Sequence, residues 1–458
     1  MKFEDYFQPK YLDNLFNKKL KYLHSTGIDK MSSRYFYDHK DQLISKISEK
    51  VLDGHYRFKP YKIMIIPKKI NQLPRKICIS TISDRLVMEA LKNYLYDLYK
   101  DKKINESINI KIGKCISIIK EDNYTKALKV DLSSFYDNIN HKKLLSILKA
   151  KKIDNRAEKI LLMLLTNKQK EYSNKKEASK KENQERELSL KNKKGVPQGL
   201  CISNLLANIY LFDFDNKIRK INNIEYIRYV DDILIFHNKN GRLLNCKIKR
   251  MLKKLYLKEN KKKTSHKILN NDYSLEFLGY SFSKNNISIR DSSFKRYLDS
   301  IERLFKLYKN NPRENREKRL KWDLRLKISG AILDDKKYGW LFYFSHITDE
   351  KIINTLDNYI RILKRRYNVT GLQTYSFKKT IDFIKYGNIK KKIEKTSSPV
   401  LNLNKITNRE EKIGIIEILT NYSEENLKKM NSIDLDYLYK KTIFKDLKKQ
   451  EKDLDNLS

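Results

Sequence analysis

Apolar and polar positions alternate in a way that divides the chain into helical and strand-forming stretches. From Met1 to about Lys50 apolar residues recur at helical spacing, with a break at Ser25-Thr26-Gly27-Ile28-Asp29-Lys30. Tyr61–Ile66 reads as a strand and Arg75–Ser80 as its return. The basic connection Pro67–Pro74 joins them, giving a hairpin with Lys68, Lys69, Arg75 and Lys76 at its tip. Asp84 is expected to cap a helix with apolar positions Leu86, Val87, Ala90, Leu91, Tyr94, Leu95 and Leu98. Lys126–His141 reads as a strand entering a helix, with Asp131 at the strand's end and Asp137 placed to cap or brace the helix. Residues 167–194 are rich in lysine and glutamate without apolar periodicity, which predicts an exposed loop or a solvated helical excursion.

The pattern changes at Gly195-Val196-Pro197-Gln198-Gly199-Leu200-Cys201-Ile202-Ser203, a loop whose serine is set to cap an amphipathic helix over Asn204–Leu211. Gly199 would let backbone approach a ligand closely, although a plain turn before a helix explains the same residues. Two β-prone runs, Ile227–Val230 and Ile233–Phe236, flank Asp231-Asp232 and predict a hairpin. Another hairpin is expected around Leu275–Phe282. Beyond it the chain reads as mainly helical. Phe294, Leu298, Ile301, Phe305 and Tyr308 mark one apolar stripe, and Ile352, Leu356, Tyr359, Ile360 and Leu363 a second, each beside basic residues. Gly339–Phe344 between them predicts a buried helical segment.

Length and composition narrow the class. With 458 residues, 40% hydrophobic and 11% aromatic, the chain suits two or three folded domains rather than a disordered one. Lys+Arg number 99 against 56 Asp+Glu, a formal charge of +43, so a polyanion is the expected partner and binding should depend strongly on salt. An AT-rich genome can enrich lysine, but it need not leave acidic residues so far behind. Cys78, Cys115, Cys201 and Cys246 are far apart and form no Cys-x-x-Cys or Cys/His cluster, which argues against a zinc site or a zinc-dependent endonuclease module. No stretch of about 18 apolar residues and no signal-like start are evident. A cytoplasmic location, reduced cysteines and no membrane partner are therefore expected.

A turn between buried strands ordinarily takes Asn-Gly or Asp-Gly, so Asp231-Asp232 is a poor choice for turning alone. It is a good choice for a hard divalent cation, since carboxylates ligate Mg²⁺ and two such ions roughly 3.5 to 4 Å apart can clamp both oxygens in phosphoryl transfer. An acidic surface turn is the alternative, and Leu333-Asp334-Asp335 illustrates how common an isolated pair is. Asp131, at the end of a buried strand, would need a partner to offset desolvation, and a metal would supply it. The basic hairpin tip is either a solvated edge that discourages aggregation or a clamp for a triphosphate. Together, one carboxylate on a strand, two on a later hairpin, a glycine loop between them and upstream cations meet the needs of nucleotidyl transfer.

In order and content these boxes resemble the reverse transcriptases. Tyr229-Val230-Asp231-Asp232, Gly195-Val196-Pro197-Gln198-Gly199, the Asp131–Tyr136 block and Phe277-Leu278-Gly279-Tyr280 all occur in the family's order, over about Ser25 to Tyr280. The resemblance implies an α+β right-hand polymerase. Its fingers and N-terminal extension would span 1–125, its palm 126–285 with the 167–194 insertion, its helical thumb 286–385 and a small helical appendage 386–458. It further implies that Asp131, Asp231 and Asp232 are the catalytic carboxylates. Asp131 and Asp231 would be the principal ligands of two Mg²⁺ ions, helped by the Leu132 carbonyl, with Mn²⁺ as a substitute. Tyr136 would be the steric gate that favours deoxynucleotides and Gln198 the glutamine beside the incoming nucleotide. Arg75, with Lys68, would contact the phosphates, Lys263 is a candidate to protonate the departing pyrophosphate, and Phe277–Tyr280 would be the primer grip.

Within the family, Ser25–Lys30 and Gly54–Arg85 resemble the extended fingers of bacterial and group II intron-like enzymes. Two features depart from the intron enzymes. Leu200-Cys201-Ile202-Ser203-Asn204 stands where they usually carry Ser-Pro-Leu-Leu, with proline at the place of Asn204, and no Cys/His endonuclease follows. The resemblance then leans toward free-standing bacterial enzymes of antiphage defence, with a dedicated noncoding RNA as template, dNTPs as substrates and an RNA end, a DNA end or a protein hydroxyl as primer. A group II intron-like maturase, a non-catalytic RNA-binding scaffold and an RNA polymerase on the same palm are the competing readings. The three intact aspartates argue against the scaffold.

Overall fold

Strand formation is clearest where apolar side chains fill both faces. Ile233–Phe236 are all inaccessible to solvent, as expected of a strand at the centre of a sheet. A computed structural model describes residues 1–66, 74–100, 104, 106–171, 193–334, 336–369, 376–393 and 398–451. The chain forms two units, one of residues 1–107 with 126–266 and the other of 108–125 with 267–458.

In the first unit, β1 (Tyr61–Ile66) and β2 (Arg75–Ile79) form the expected antiparallel hairpin, with Lys62 opposite Ile79 and Ile66 opposite Arg75. The basic connection between them, with Lys68, lies outside the described residues. β3 (Lys126–Asp131) follows. Next comes β4 (Gln169–Glu171), which pairs in parallel with β1, so the polar 167–194 stretch opens on a strand; residues 172–192 are outside the described residues. β5 (Ile224–Tyr229) and β6 (Asp232–His237) form the second hairpin, and β6 also pairs antiparallel with β3 along its whole length. Helices pack on these strands through one apolar cluster that includes Leu86, Leu91, Leu161, Leu206, Ile209 and Ile248.

Two of the expected caps, Asp84 and Asp137, are corrected in this unit. The helix Ile82–Tyr99 is capped by Thr81, whose hydroxyl accepts from the Asp84 amide. Asp84 itself turns inward and accepts from Tyr56 Oη at 2.8 Å and from the Lys59 amide at 3.2 Å. Burial pushes its carboxyl up to about 6. Likewise Asn140, not Asp137, caps His141–Ala150, accepting from the Lys143 amide.

The second unit is mainly helical, and besides the expected hairpin over Leu275–Phe282 it carries short strands that periodicity did not announce. β7 (Ser265–Ile268), the fourth strand of the sheet ordered β5-β6-β3-β7, is where the chain passes into it. β8 (Leu275–Phe277), β9 (Tyr280–Phe282) and β10 (Ile287–Ile289) form one small antiparallel sheet. In another, β11 (Ala331–Leu333) pairs with β12 (Lys336–Tyr338) and with β13 (Leu401–Asn402). Leu401, Ile416, Leu427, Leu435 and Ile443 share a cluster with Leu326, Ala331 and Leu333, so residues 398–451 pack on the same core as 326–338. Trp340–Tyr343 is helical as expected, with Trp340 and Leu341 buried. No helix among the described residues is long and apolar enough to cross a membrane.

Candidate active site

The pairing of β3, β6 and β5 sets the carboxylates. Asp131 stands opposite Asp232, which stands opposite Tyr229 on its other side. Val230 and Asp231 are left as a two-residue turn, and Val230 adopts a left-handed φ of 54°, unfavourable for a β-branched residue. Backbone bonds lock the strand end to this turn. The Leu132 amide donates to the Asp231 carbonyl at 3.3 Å, and the Asn260 amide to the Asp131 carbonyl at 2.7 Å. On the same loop, Lys263 Nζ donates to Asp131 Oδ2 at 3.0 Å.

Asp131 and Asp232 are buried and Asp231 is half-buried. Burial, then the charges of Asp232 and Asp131, push the Asp231 carboxyl up to about 6, against the pull of Lys263. Such a cluster favours a cation. Among the described residues no three His, Cys, Asp or Glu side chains enclose one point, so this is not a closed protein cage. Mg²⁺ in phosphoryl-transfer sites needs no such cage, because one or two carboxylates, water and substrate phosphates complete its shell. The donor set here, all oxygen with a lysine already drawn to Asp131, fits that arrangement.

Beside the carboxylates lies Tyr136, on the short helix Phe135–Asn138. Its phenol is pushed up to about 12 by burial and then by the negative charge of Asp231. Its carbonyl accepts from the Val196 amide at 2.9 Å, and the Gly195 amide donates to Ile139 O at 2.8 Å, so the glycine loop is bonded to the segment after β3. His141 Nε2 donates to Gly195 O at 2.7 Å. Ser203 does not cap its helix as expected. Buried as the helix's first residue, its hydroxyl donates to Pro197 O at 2.5 Å.

The Gln198 carbonyl accepts from the Cys78 amide at 2.7 Å, which ties the loop to the strand that Arg75 begins. Gly199 allows this approach: at φ 96°, a Cβ there would fall 2.5 Å from Ile77 Cγ2 and 2.9 Å from the Cys78 carbonyl. Gly199→Ala is expected to push the loop off β2 and destabilise the chain by about 1 to 3 kcal/mol. Denaturant melts should register the loss.

Direct contacts thus bring Lys263 to Asp131, strand pairing brings Asp131 to Asp232, and backbone bonds join Tyr136 and Gln198 to the same scaffold. Arg75 is exposed and enters only through its strand; Lys68 lies outside the described residues. In the second unit, Phe277, Leu278, Gly279 and Tyr280 form a tight turn with left-handed φ at Leu278 (49°) and Gly279 (78°). The Phe277, Leu278 and Tyr280 side chains are buried. That burial leaves only backbone for a ligand to meet, and Tyr343 Oη braces the turn by donating to Leu278 O at 2.9 Å.

Sequence reasoning missed Arg228, Asp215 and His141. A guanidinium between Ile227 and Tyr229 in a strand was the available signal, because a charge there needs a buried partner. Asp215 is that partner, bonded through both its oxygens.

Residues 66–282 match the family described as reverse transcriptase (RNA-dependent DNA polymerase). The group II intron-encoded protein LtrA of Lactococcus lactis subsp. cremoris is 27% identical over 187 residues, 40% of this chain and 29% of that protein. Protein YkfC of Escherichia coli (strain K12) is 24% identical over 208 residues, 43% of this chain and 51% of that protein. The chain thus spans between under a third and about half of these relatives. Among solved structures, apo telomerase from Candida tropicalis aligns at TM-score 0.39 and 15% identity, over 92% of this chain and 72% of that one. Telomerase from Candida albicans with a fragment of telomeric RNA aligns at TM-score 0.37 and 14% identity, over 93% and 69%.

Proposed function

We propose that this chain, whose residues 66–282 match the reverse transcriptase family, is an RNA-directed DNA polymerase that extends a primer with dNTPs, using two Mg²⁺ ions. The observation that carries the proposal is the Asp131–Asp232 pair across β3 and β6 with Asp231 at the adjoining turn. Divalent metal bound there would lower the pKa of the primer's 3′-hydroxyl and neutralise the triphosphate; Mn²⁺ would substitute.

The chain's own residues do the positioning. Asp131 and Asp231 would hold the metals, with the Leu132 carbonyl assisting and Asp232 adding charge. Lys263 exchanges its contact with Asp131 for the departing pyrophosphate, to which it gives a proton. Arg75 and Lys68 bind the triphosphate, Gln198 lies against the nucleotide, Tyr136 stands against a 2′-hydroxyl, and the Leu278-Gly279 turn meets the primer. Fingers over 1–125, palm over 126–285, thumb over 286–385 and the appendage beyond would hold an A-form hybrid through phosphates and 2′-hydroxyls, in keeping with the +43 charge. Such a chain would work in the cytoplasm.

We further infer a dedicated noncoding RNA as template, in antiphage defence. The support is the departure of Leu200–Asn204 from the intron pattern. The test is purification with bound RNA, sequencing of that RNA, and incorporation of labelled dNTPs with Mg²⁺ or EDTA. DNA synthesis abolished by EDTA is the expected result. RNA binding without incorporation on any primed template would instead make the chain a scaffold. A single enriched RNA and phage resistance lost with the carboxylates are what the defence reading requires.

A further inference from the structure

Arg228 lies inside β5 with a side chain only 7% exposed, and it donates four hydrogen bonds. Nε reaches Asp215 Oδ1 at 2.8 Å and Nη2 reaches Asp215 Oδ2 at 2.6 Å. Nη1 reaches Asn208 Oδ1 at 3.0 Å and the Val230 carbonyl at 2.8 Å. Tyr226 Oη adds a bond to Asp215 Oδ1 at 2.6 Å, fixing the carboxylate that aims the guanidinium. Asp215 is on the helix Phe212–Arg219 and Asn208 on the helix Ser203–Tyr210. Two helices behind the sheet are thereby joined to one carbonyl, that of the residue before Asp231.

That carbonyl belongs to Val230, the turn residue whose φ of 54° a valine disfavours. Left to itself the turn would relax and swing the next peptide, and Asp231 with it. A planar guanidinium can hold a carboxylate through two bonds while offering further donors to a carbonyl; a lysine ammonium cannot match that fork. We propose that Arg228, aimed by Asp215, is a positioning residue that holds Val230 in its left-handed turn and so fixes where the Asp231 carboxylate points. The inference rests on the polymerase reading of Asp231. With four donors directed at protein acceptors, Arg228 acts through the turn and not on substrate.

The competing account is a buried ion pair that only holds the fold, and paired replacement separates the two. Arg228→Met with Asp215→Leu removes both charges together, which buried pairs tolerate, and removes the donor to Val230. Adding Val230→Gly restores easy access to the left-handed turn. Arg228→Lys is the second variant should the paired one fail to fold. The full chain is measured by thermal melting, by kcat and KM for dNTP on a primed RNA, and by Mn²⁺ binding in electron paramagnetic resonance.

The proposal expects near wild-type melting in whichever variant folds, kcat lower by about 10²-fold with KM for dNTP little changed, weaker Mn²⁺ binding, and at least partial recovery of kcat and Mn²⁺ binding on adding Val230→Gly. Wild-type kcat and Mn²⁺ binding in the folded variant, or no recovery with glycine, would overturn it. Should wild type itself incorporate nothing, the polymerase reading fails on its own. The Mn²⁺ comparison then still decides the role of Arg228.

Discussion

Asp231→Asn is expected to lose about 10³-fold in kcat while binding primed RNA as wild type does, since it removes charge stabilisation needed where the phosphoryl group transfers. It should also make the metal-free protein more stable. Partial burial, then the charges of Asp232 and Asp131, push the Asp231 carboxyl up to about 6 in the folded chain against 3.8 unperturbed. A raised carboxyl pKa means that the folded state holds its proton more tightly. The stabilisation is complete below pH 3.8 and is lost as pH rises through about 6. Asparagine never bears the charge, so the variant's advantage opens between pH 4 and 6 and reaches about 3 kcal/mol at pH 7. Mg²⁺ reverses the order, stabilising wild type by binding the ionised carboxylates and leaving the variant nearly unmoved. Melting curves at pH 5 and 7, with and without Mg²⁺, read both effects. Equal activity in the variant would remove Asp231 from the chemistry, and equal stability would show that the carboxylates do not strain one another.

What could be read from the chain before folding follows how local each feature is. The Asp231-Asp232 hairpin was legible because two β-prone runs and an unsuitable turn pair lie within ten residues. The β1–β2 hairpin was legible for the same reason. β4 was not, since Gln169–Glu171 has no apolar pattern and becomes a strand by pairing with Tyr61–Ile63, more than a hundred residues earlier. Asp84 and Ser203 look like caps in one dimension. Whether a polar residue caps depends on its backbone and on distant partners, and these two turn to Tyr56 and Pro197 instead. In the second unit the stripe through Phe294 and Leu298 was drawn slightly off the buried face, which centres on Tyr297, Ile301 and Phe305. Tyr297 stacks on Trp340 at 3.9 Å between ring centroids and donates to Lys327 O, so a residue outside the expected stripe becomes core.

Tyr136→Ala should open the nucleotide side of the same site. Tyr136 lies on a four-residue helix, held by the bond from Val196 to its carbonyl and packed against Phe135, so its ring has little freedom to yield to a 2′-hydroxyl. Alanine removes that wall without touching a carboxylate. The ratio of kcat/KM for dNTP over rNTP is expected to fall by about 10²-fold, mostly through faster ribonucleotide use, while Mg²⁺ dependence stays as in wild type. Tyr136→Phe is the control that assigns the cause. With the phenol pushed up to about 12 by burial and by Asp231, the side chain is neutral at every working pH, so discrimination must come from the ring's bulk or from the hydroxyl's hydrogen bond. Phenylalanine keeps the first and loses the second. Discrimination retained in Phe and lost in Ala makes Tyr136 a steric gate, whereas loss in both makes the hydroxyl the discriminating group. No change in either would mean that the sugar lies elsewhere, and that Tyr136 beside Asp231 serves the fold of this region and not the choice of substrate.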